Sequence, residues 1–189
     1  MSKSPIQRII FGNPGTGKSH SIDKKILPLE LGIDPETSSS DIIKTVFHPE
    51  YTYGDFMGKL LPLSKQREDG SSQVEYKFYP GHLLTALAKA YKNLMTPKDG
   101  KIQNVALVID EINRGNSSAI FGTAFQLLDR KDDGFSSYHI TLSELEFSSF
   151  INMIGEVKAF YIDKSETKVI EKYELIEDLQ IRNPKFKRE

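Results

Sequence analysis

Residues 12–19 combine glycines, a lysine and a serine in a spacing that can hold phosphate groups. They match the pattern Gly-x-x-x-x-Gly-Lys-Ser/Thr at every fixed position and consist of Gly12, Asn13, Pro14, Gly15, Thr16, Gly17, Lys18 and Ser19. Glycines let the backbone turn its N–H groups toward phosphate oxygens, and a helix start adds partial positive charge. Lys18 would reach the outer phosphates, and the Ser19 hydroxyl would bind Mg²⁺. The pattern therefore predicts a site for a nucleoside triphosphate.

Two adjacent carboxylates, Asp110 and Glu111, follow the most apolar run of the chain, residues 105–109. Downstream of a phosphate loop, Asp110 would face Mg²⁺ directly or through water, opposite Ser19. Glu111 would then orient or deprotonate the water that attacks the outermost phosphate. We therefore predict Glu111 as the catalytic residue, and Ser19 and Asp110 as the metal ligands.

These motifs need secondary structure that places them at one edge of a sheet. Residues 8–11 are a short apolar run that predicts a strand before the loop, and a helix is expected over residues 19–31, ending before Pro28 or near Gly32. Residues 42–47 are β-branched and apolar, which predicts a second strand. Residues 105–109 are continuously apolar, as in a strand buried on both faces of a parallel sheet. The expected fold class is α/β.

The remaining patterns predict helices and two antiparallel hairpins around that sheet. Apolar residues recur at helical spacing over 81–95 and 117–128, and Ser143 with Glu146 has capping-box spacing before a helix to about residue 154. A short helix is expected at 53–57, after the proline at position 49. Segments of alternating or β-branched residues predict two hairpins. The first pairs 60–63 with 74–78, and the second pairs 157–162 with 169–175.

Composition excludes several classes of protein. The chain has 189 residues, a formal net charge of −1 and no cysteine, so neither a global basic field for nucleic acid nor a disulfide framework is present. No apolar run approaches the roughly 20 residues of a membrane span, and the N-terminal residues lack the apolar run of a signal peptide. We expect a soluble, cytoplasmic protein.

Residues 110–116, Asp-Glu-Ile-Asn-Arg-Gly-Asn, resemble the second nucleotide motif of the McrB-type GTPases. These proteins are the motor subunits of modification-dependent restriction systems in the AAA+ class. Residues 12–19 resemble the phosphate loop of that family, and residues 45–56, 78–81 and 120–122 match further segments. The resemblance spans about residues 7–140.

The resemblance implies an AAA+-type P-loop NTPase that hydrolyses GTP or ATP with Mg²⁺ in a DNA restriction or antiviral defence system. It adds His20 and Arg114 to residues 12–19 as nucleotide contacts, although Arg114 could equally form a surface salt bridge. It also implies a homo-oligomeric ring, a hexamer in the family, with an McrC-like nuclease subunit that acts on DNA. The choice between GTP and ATP stays open because the guanine-specificity motif Asn-Lys-x-Asp is absent.

Two features depart from the family: the charged tract over residues 131–172 resembles a variable insertion that some relatives carry, and several later segments are not evident. No apolar strand ending in an Asn-Thr sensor segment, no arginine-finger segment and no helical lid are evident after Glu111, so the fourth and fifth core strands are missing. We therefore expect residues 1–189 to be a partial, truncated AAA+ domain. Its parts are a core of about 5–130, a variable insertion-like segment 131–181 and a charged tail 182–189. Alternatively, another chain or the hairpin at residues 157–175 fills the gap in the sheet.

Other assignments remain open at this stage. The chain could be a non-hydrolysing nucleotide-binding or assembly module, or a P-loop kinase, although Glu111 suits water activation better than phosphoryl transfer to a small substrate. The tip of the first hairpin, around residues 65–67, is either a contact for DNA or a partner, or a solvated loop. We expect structural roles for one loop histidine and three nearby aromatic residues, which are His48, Tyr51, Tyr53 and Phe56.

Overall fold

A computed structural model describes residues 6–67, 69–131, 136–155, 157–160 and 167–170. Its helices are α1 (Lys18–Ser21), α2 (Tyr53–Phe56), α3 (His82–Met95), α4 (Ser117–Phe121) and α5 (Glu144–Ile154). Its strands are β1 (Ile42–Val46), β2 (Gly58–Gln66), β3 (Ser72–Pro80), β4 (Ala106–Asp110), β5 (Val157–Phe160) and β6 (Thr167–Ile170). π-helical turns over Ile22–Glu30 continue α1, and 3-10 helices cover Ser39–Asp41 and Gly122–Leu128.

The centre of the mixed α/β structure is a parallel pair of strands, β1 and β4, with Ile42 opposite Ala106 and Val46 opposite Asp110. Alternate residues of β4 pack on opposite sides. Val108 lies against the core that contains Leu27 of the helix after the phosphate loop, whereas Leu107 lies against an aromatic cluster. That cluster consists of Phe47, Tyr51, Phe56, Ile120 and Phe121. The strands predicted at 42–47 and 105–109 are present as β1 and β4, and β4 packs on both sides as predicted, whereas Lys44 and Val46 of β1 are exposed.

Residues 8–11 do not form a strand, contrary to the prediction from their apolar sequence. A strand needs a neighbour to satisfy its backbone N–H and C=O groups, and β4 pairs only with β1 in the described part of the chain. Side chains anchor the segment instead. The Arg8 guanidinium donates to both carboxylate oxygens of Glu30 at 2.8 and 2.9 Å, and Gln7 Nε2 donates to the Leu128 carbonyl at 2.7 Å.

This arrangement leaves Ile9 and Phe11 exposed by 77% and 91%. Clustered exposed apolar side chains favour association, so we expect the Ile9→Ser/Phe11→Ser double variant to self-associate less than the unmodified chain. Static light scattering over a range of protein concentrations measures this. Ile102→Ser, which removes a side chain exposed by 57% elsewhere, is the matched control. If the double variant and the unmodified chain self-associate equally, residues 8–11 do not drive the association.

The two predicted hairpins are present as antiparallel pairs, β2 with β3 and β5 with β6. The first is longer than expected, because its register runs from Gly58 opposite Pro80 to Gln66 opposite Ser72. The second pairs only with itself among the described residues, so it does not fill the gap in the parallel sheet. The parts of its prediction at 161–162 and 171–175, like the tail 182–189, lie outside the described residues.

The helix predictions are confirmed where a capping residue or a glycine in the sequence marks the end of the helix. Residues 81–95 form α3, and the Ser143–Glu146 capping box at α5 is reciprocal, with Ser143 N donating to Glu146 Oε2 at 2.8 Å and Glu146 N to Ser143 Oγ at 3.3 Å. The expected helix over 117–128 changes to 3-10 geometry at Gly122, where φ is +48°. No helix in the described part of the chain is long and apolar enough to cross a membrane.

Candidate nucleotide-binding site

The phosphate loop is built on three glycines with left-handed or similarly restricted backbone. Gly12, Gly15 and Gly17 have φ values of +151°, +79° and +79°, where other residues would be strained. The Thr16 hydroxyl donates to the Asn13 carbonyl at 2.8 Å and closes the loop. The glycine positions predicted from the motif therefore have a physical reason in the fold of the loop itself.

Lys18 is held against this loop by its ammonium group. Its Nζ donates to the Gly12 carbonyl at 2.7 Å and to the Asn13 carbonyl at 2.9 Å. An ammonium has three N–H donors, so one remains for another acceptor. The positive charge predicted to meet the outer phosphates is thus placed at the loop.

The backbone around the start of α1 offers further donors. Gly17 is the N-cap and provides no side-chain cap, and the first turn contains no acidic residue. Within the described residues, the backbone N–H groups of Gly15 and Gly17 have no hydrogen-bond acceptor. Because the first N–H groups of a helix lack intrahelical partners, this set of donors suits an anion.

The second motif lies at the carboxyl end of β4. The Asp110 carbonyl accepts from Phe47 N at 2.9 Å, which continues the pairing with the segment after β1. Glu111 has a φ of +54°, a conformation that is uncommon for a residue with a side chain and turns the chain out of the strand. The Glu111 carboxylate pairs with Arg114, with 3.0 Å between Oε2 and Nε. The pair is exposed and three residues apart, so it contributes little to stability.

Part of the motif after Glu111 serves the fold. A Cβ at Gly115 would lie 2.7 Å from Ile120 Cδ1 and 3.3 Å from the His48 carbonyl oxygen, so only glycine fits there without a shift. Asn116 caps α4 by accepting from Ala119 N at 3.2 Å. The sequence interpretation assigned roles only to Asp110, Glu111 and Arg114 in this stretch and missed the packing role of Gly115.

The structure brings the predicted residues together only in part. Residues 12–17 form the loop, Lys18 and Ser19 begin α1, and the helical segment that follows packs on β4 through Leu27 and Ala106. In the described residues, no hydrogen bond or ion pair joins that loop to Asp110 or Glu111. Arg114 contacts Glu111, and His20 lies exposed on α1. The nucleotide contacts assigned to residues 12–20 and Arg114 remain predictions.

A divalent cation fits this donor set only together with a phosphate ligand. The described residues contain no group of three His, Cys, Asp or Glu side chains that could hold a metal by themselves. Ser19 and Asp110 would supply one hydroxyl and one carboxylate. Mg²⁺ characteristically keeps several waters and binds through one or two carboxylates plus substrate phosphates, so this sparse set is compatible with a cation that arrives with the nucleotide.

The chain is similar to a component of a known restriction enzyme. It is 37% identical over 154 residues to the type II restriction enzyme BsuMI component YdiS of Bacillus subtilis (strain 168). The alignment covers 72% of this chain and 41% of YdiS, so this chain spans less than half the length of that relative. No protein-family model matches the chain. The similarity agrees with the restriction part of the family resemblance, and the McrB-type assignment remains a prediction.

Proposed function

We propose that this chain is the nucleotide-binding part of a McrB-type AAA+ NTPase, which hydrolyses GTP or ATP with Mg²⁺ in a DNA restriction system. The observation that carries the proposal is the phosphate loop. Three glycines with positive φ and the Lys18 ammonium surround backbone donors that lack acceptors among the described residues. The helix after this loop packs on β4, which ends in Asp110 and leads into Glu111.

In this proposal, each residue has one task. Lys18 and the loop N–H groups bind the phosphates, and Ser19 and Asp110 hold Mg²⁺, which neutralises phosphate charge when bound. Glu111 orients the attacking water and accepts its proton. The ion pair to Arg114 occupies Glu111 Oε2, so the other carboxylate oxygen is the one available to the water while this pair is in place.

The similarity to a restriction-enzyme component supports a role with partner subunits. We propose a homo-oligomeric ring, a hexamer as in the resembled family, that works with an McrC-like nuclease subunit on DNA. In such rings an arginine from a neighbouring subunit can contribute about 10³–10⁵ in rate. The chain alone is therefore expected to turn over nucleotide slowly.

A second function is favoured by one observation. The Glu111 carboxylate is paired with Arg114, so one of its two oxygens is already occupied before any water binds. This geometry would suit a module that binds nucleotide and assembles with partners without hydrolysing it. The two functions differ in whether the bound nucleotide is hydrolysed.

Glu111→Gln is expected to slow hydrolysis by about 10²-fold or more while nucleotide affinity is retained. The amide keeps the shape of the side chain but accepts a proton far less well. A single-turnover assay, with the chain in excess over γ-labelled GTP or ATP, measures phosphate release even when turnover is slow. Glu50→Gln, which changes an exposed carboxylate after β1, is the matched control.

Two results of this assay would overturn the hydrolytic role. A Glu111→Gln variant that releases phosphate at the unmodified rate would remove Glu111 from the mechanism. If the unmodified chain binds nucleotide but releases no phosphate, even at high concentration where rings can assemble, the non-hydrolysing module is the better description.

A further inference from the structure

A cleft of about 410 Å³ lies at the carboxyl end of β1, and none of residues 12–19 lines it. Its walls come from the segment after β1, the foot of the β2–β3 hairpin and the start of α3. The polar side chains at its surface are those of Thr45, His48, Tyr51, Lys59, Tyr79 and His82, together with Asp55. Its volume falls within the roughly 300–1,000 Å³ range of small-molecule sites.

The inner wall of the cleft is an ordered polar network around Tyr51, which is only 7% exposed. Its hydroxyl lies 3.3 Å from Thr45 Oγ1, 2.8 Å from His82 Nδ1 and 3.3 Å from the Asp55 carbonyl. Burial raises the pKa of Tyr51, so the hydroxyl keeps its proton. The 2.8 Å contact pairs the hydroxyl with His82 Nδ1, which also lies 3.3 Å from the Asp55 carbonyl, so Nδ1 holds the ring in the network and Nε2 is left for a further hydrogen bond.

Asp55 is the only carboxylate among the residues that line the cleft, and both of its oxygens are occupied. Oδ1 accepts from Lys59 Nζ at 2.5 Å, and Oδ2 accepts from the Thr52 backbone N–H and hydroxyl at 3.0 and 2.7 Å. Burial alone would raise the pKa of Asp55, but the hydrogen bonds from Lys59 and Thr52 outweigh it and hold the pKa at about 2. The carboxylate is therefore ionised, and the Lys59 ammonium beside it offsets its negative charge.

The unused capacity of the lining consists mainly of donors. Lys59 has two N–H groups beyond the one that bonds Asp55. Among the described residues, the His48 ring nitrogens, His82 Nε2 and the Tyr79 hydroxyl have no hydrogen-bond partner. Donors that converge on a concave surface without a free carboxylate favour a ligand rich in acceptors and negative charge.

We propose that this cleft binds a small anion, a phosphate or carboxylate group carried by a small molecule. Lys59 supplies two further N–H donors from a charged group, His82 and Tyr79 supply hydrogen bonds, and Thr45 and Tyr51 form the rigid floor. The ligand would tie the foot of the hairpin to the segment after β1. The backbone of that segment at His48 also approaches the turn at residue 115. The site does not depend on the proposed nucleotide site.

The test is an NMR titration of the ¹⁵N-labelled chain with sodium phosphate and, separately, with sodium succinate, at constant ionic strength. We expect saturable amide shifts at Thr45, His48, Lys59 and Tyr79. Phosphate can also bind residues 12–19, whose amide signals report that event separately. Failure of either site is thus distinguishable from failure of the other. The anion that saturates the cleft at the lower concentration identifies the group that the ligand carries.

Lys59→Gln is expected to lower the affinity of the cleft for the anion by about tenfold, since one charge-assisted hydrogen bond is lost. Lys59→Arg is expected to restore most of the affinity, because it keeps a positive charge and N–H donors at this position, and a melting curve of each variant reports the loss of the Asp55 ion pair separately. Lys101→Gln, at an exposed lysine between α3 and β4, is the matched control. The proposal is wrong if both anions shift only residues 12–19, if the cleft shifts match those from sodium chloride, or if Lys59→Gln binds like the unmodified chain.

Discussion

Gly81→Ala is expected to lower the free energy of unfolding by about 3 kcal/mol. A Cβ at this position would lie 2.3 Å from the Phe56 carbonyl carbon, 2.4 Å from its oxygen and 2.6 Å from Met57 N. These are backbone atoms of α2 and its end, so no side-chain rotation relieves the overlap. Gly81 N also donates to the Met57 carbonyl at 3.0 Å, which holds the two segments at this close approach.

Urea unfolding followed by circular dichroism measures the effect. Gly54→Ala is the matched control, because its Cβ would meet the nearest atom, Lys59 Cβ, at an ordinary 3.4 Å inside α2. Alanine favours a helix over glycine by up to about 1 kcal/mol, so this variant should be as stable as the unmodified chain or more stable. A Gly81→Ala variant with unchanged unfolding would show that α2 and the start of α3 are not packed at this distance.

Lys18→Ala is expected to weaken the binding of GTP and ATP by roughly 10²–10⁴-fold. This range corresponds to two hydrogen bonds to the outer phosphates at about 1.5–3 kcal/mol each: one from the N–H that remains, and one from an N–H that exchanges a loop carbonyl for phosphate when the nucleotide binds. The alanine variant keeps the loop N–H donors, so weak binding through the backbone would remain.

An equilibrium titration with each nucleotide and Mg²⁺ measures the loss. Lys25→Ala, which removes an exposed lysine from the same helical segment, is the matched control. Because Lys18 also donates to the carbonyls of Gly12 and Asn13, a melting curve of each variant separates lost affinity from lost folding. Unchanged nucleotide affinity in a folded Lys18→Ala variant would exclude the role assigned to this residue.

The parts of the fold that were predictable depend on local or strictly periodic signals. The strand at 42–47 was recognisable from its β-branched and apolar residues, and the strand at 105–109 from the continuous apolar run of a strand that packs on both sides. The cap at Ser143 was recognisable because a hydroxyl and a carboxylate three residues apart bond reciprocally. The phosphate loop was recognisable because its glycines sit where positive φ is needed.

The rest depends on contacts between distant parts of the chain. Residues 8–11 have the pattern of a strand, but a strand forms only where a neighbour accepts its hydrogen bonds. Gly81 gives no sequence signal for its approach to Phe56, because that distance results from how two segments pack. The contact between Tyr51 and His82 joins residues 31 positions apart and follows no recognisable spacing. The Glu111–Arg114 pair, three residues apart, was foreseeable as a surface salt bridge.

Calorimetric titration of the unmodified chain with Mg²⁺–GTP and with Mg²⁺–ATP tests the proposed nucleotide site most directly. We predict saturable binding of at least one nucleotide, one per chain, with a Kd below about 1 mM, equivalent to about −4.1 kcal/mol. The affinity should fall when Mg²⁺ is removed, since Ser19 and Asp110 are proposed to hold it. A chain that melts cooperatively but shows no saturable binding of either nucleotide at millimolar concentrations would contradict the proposal.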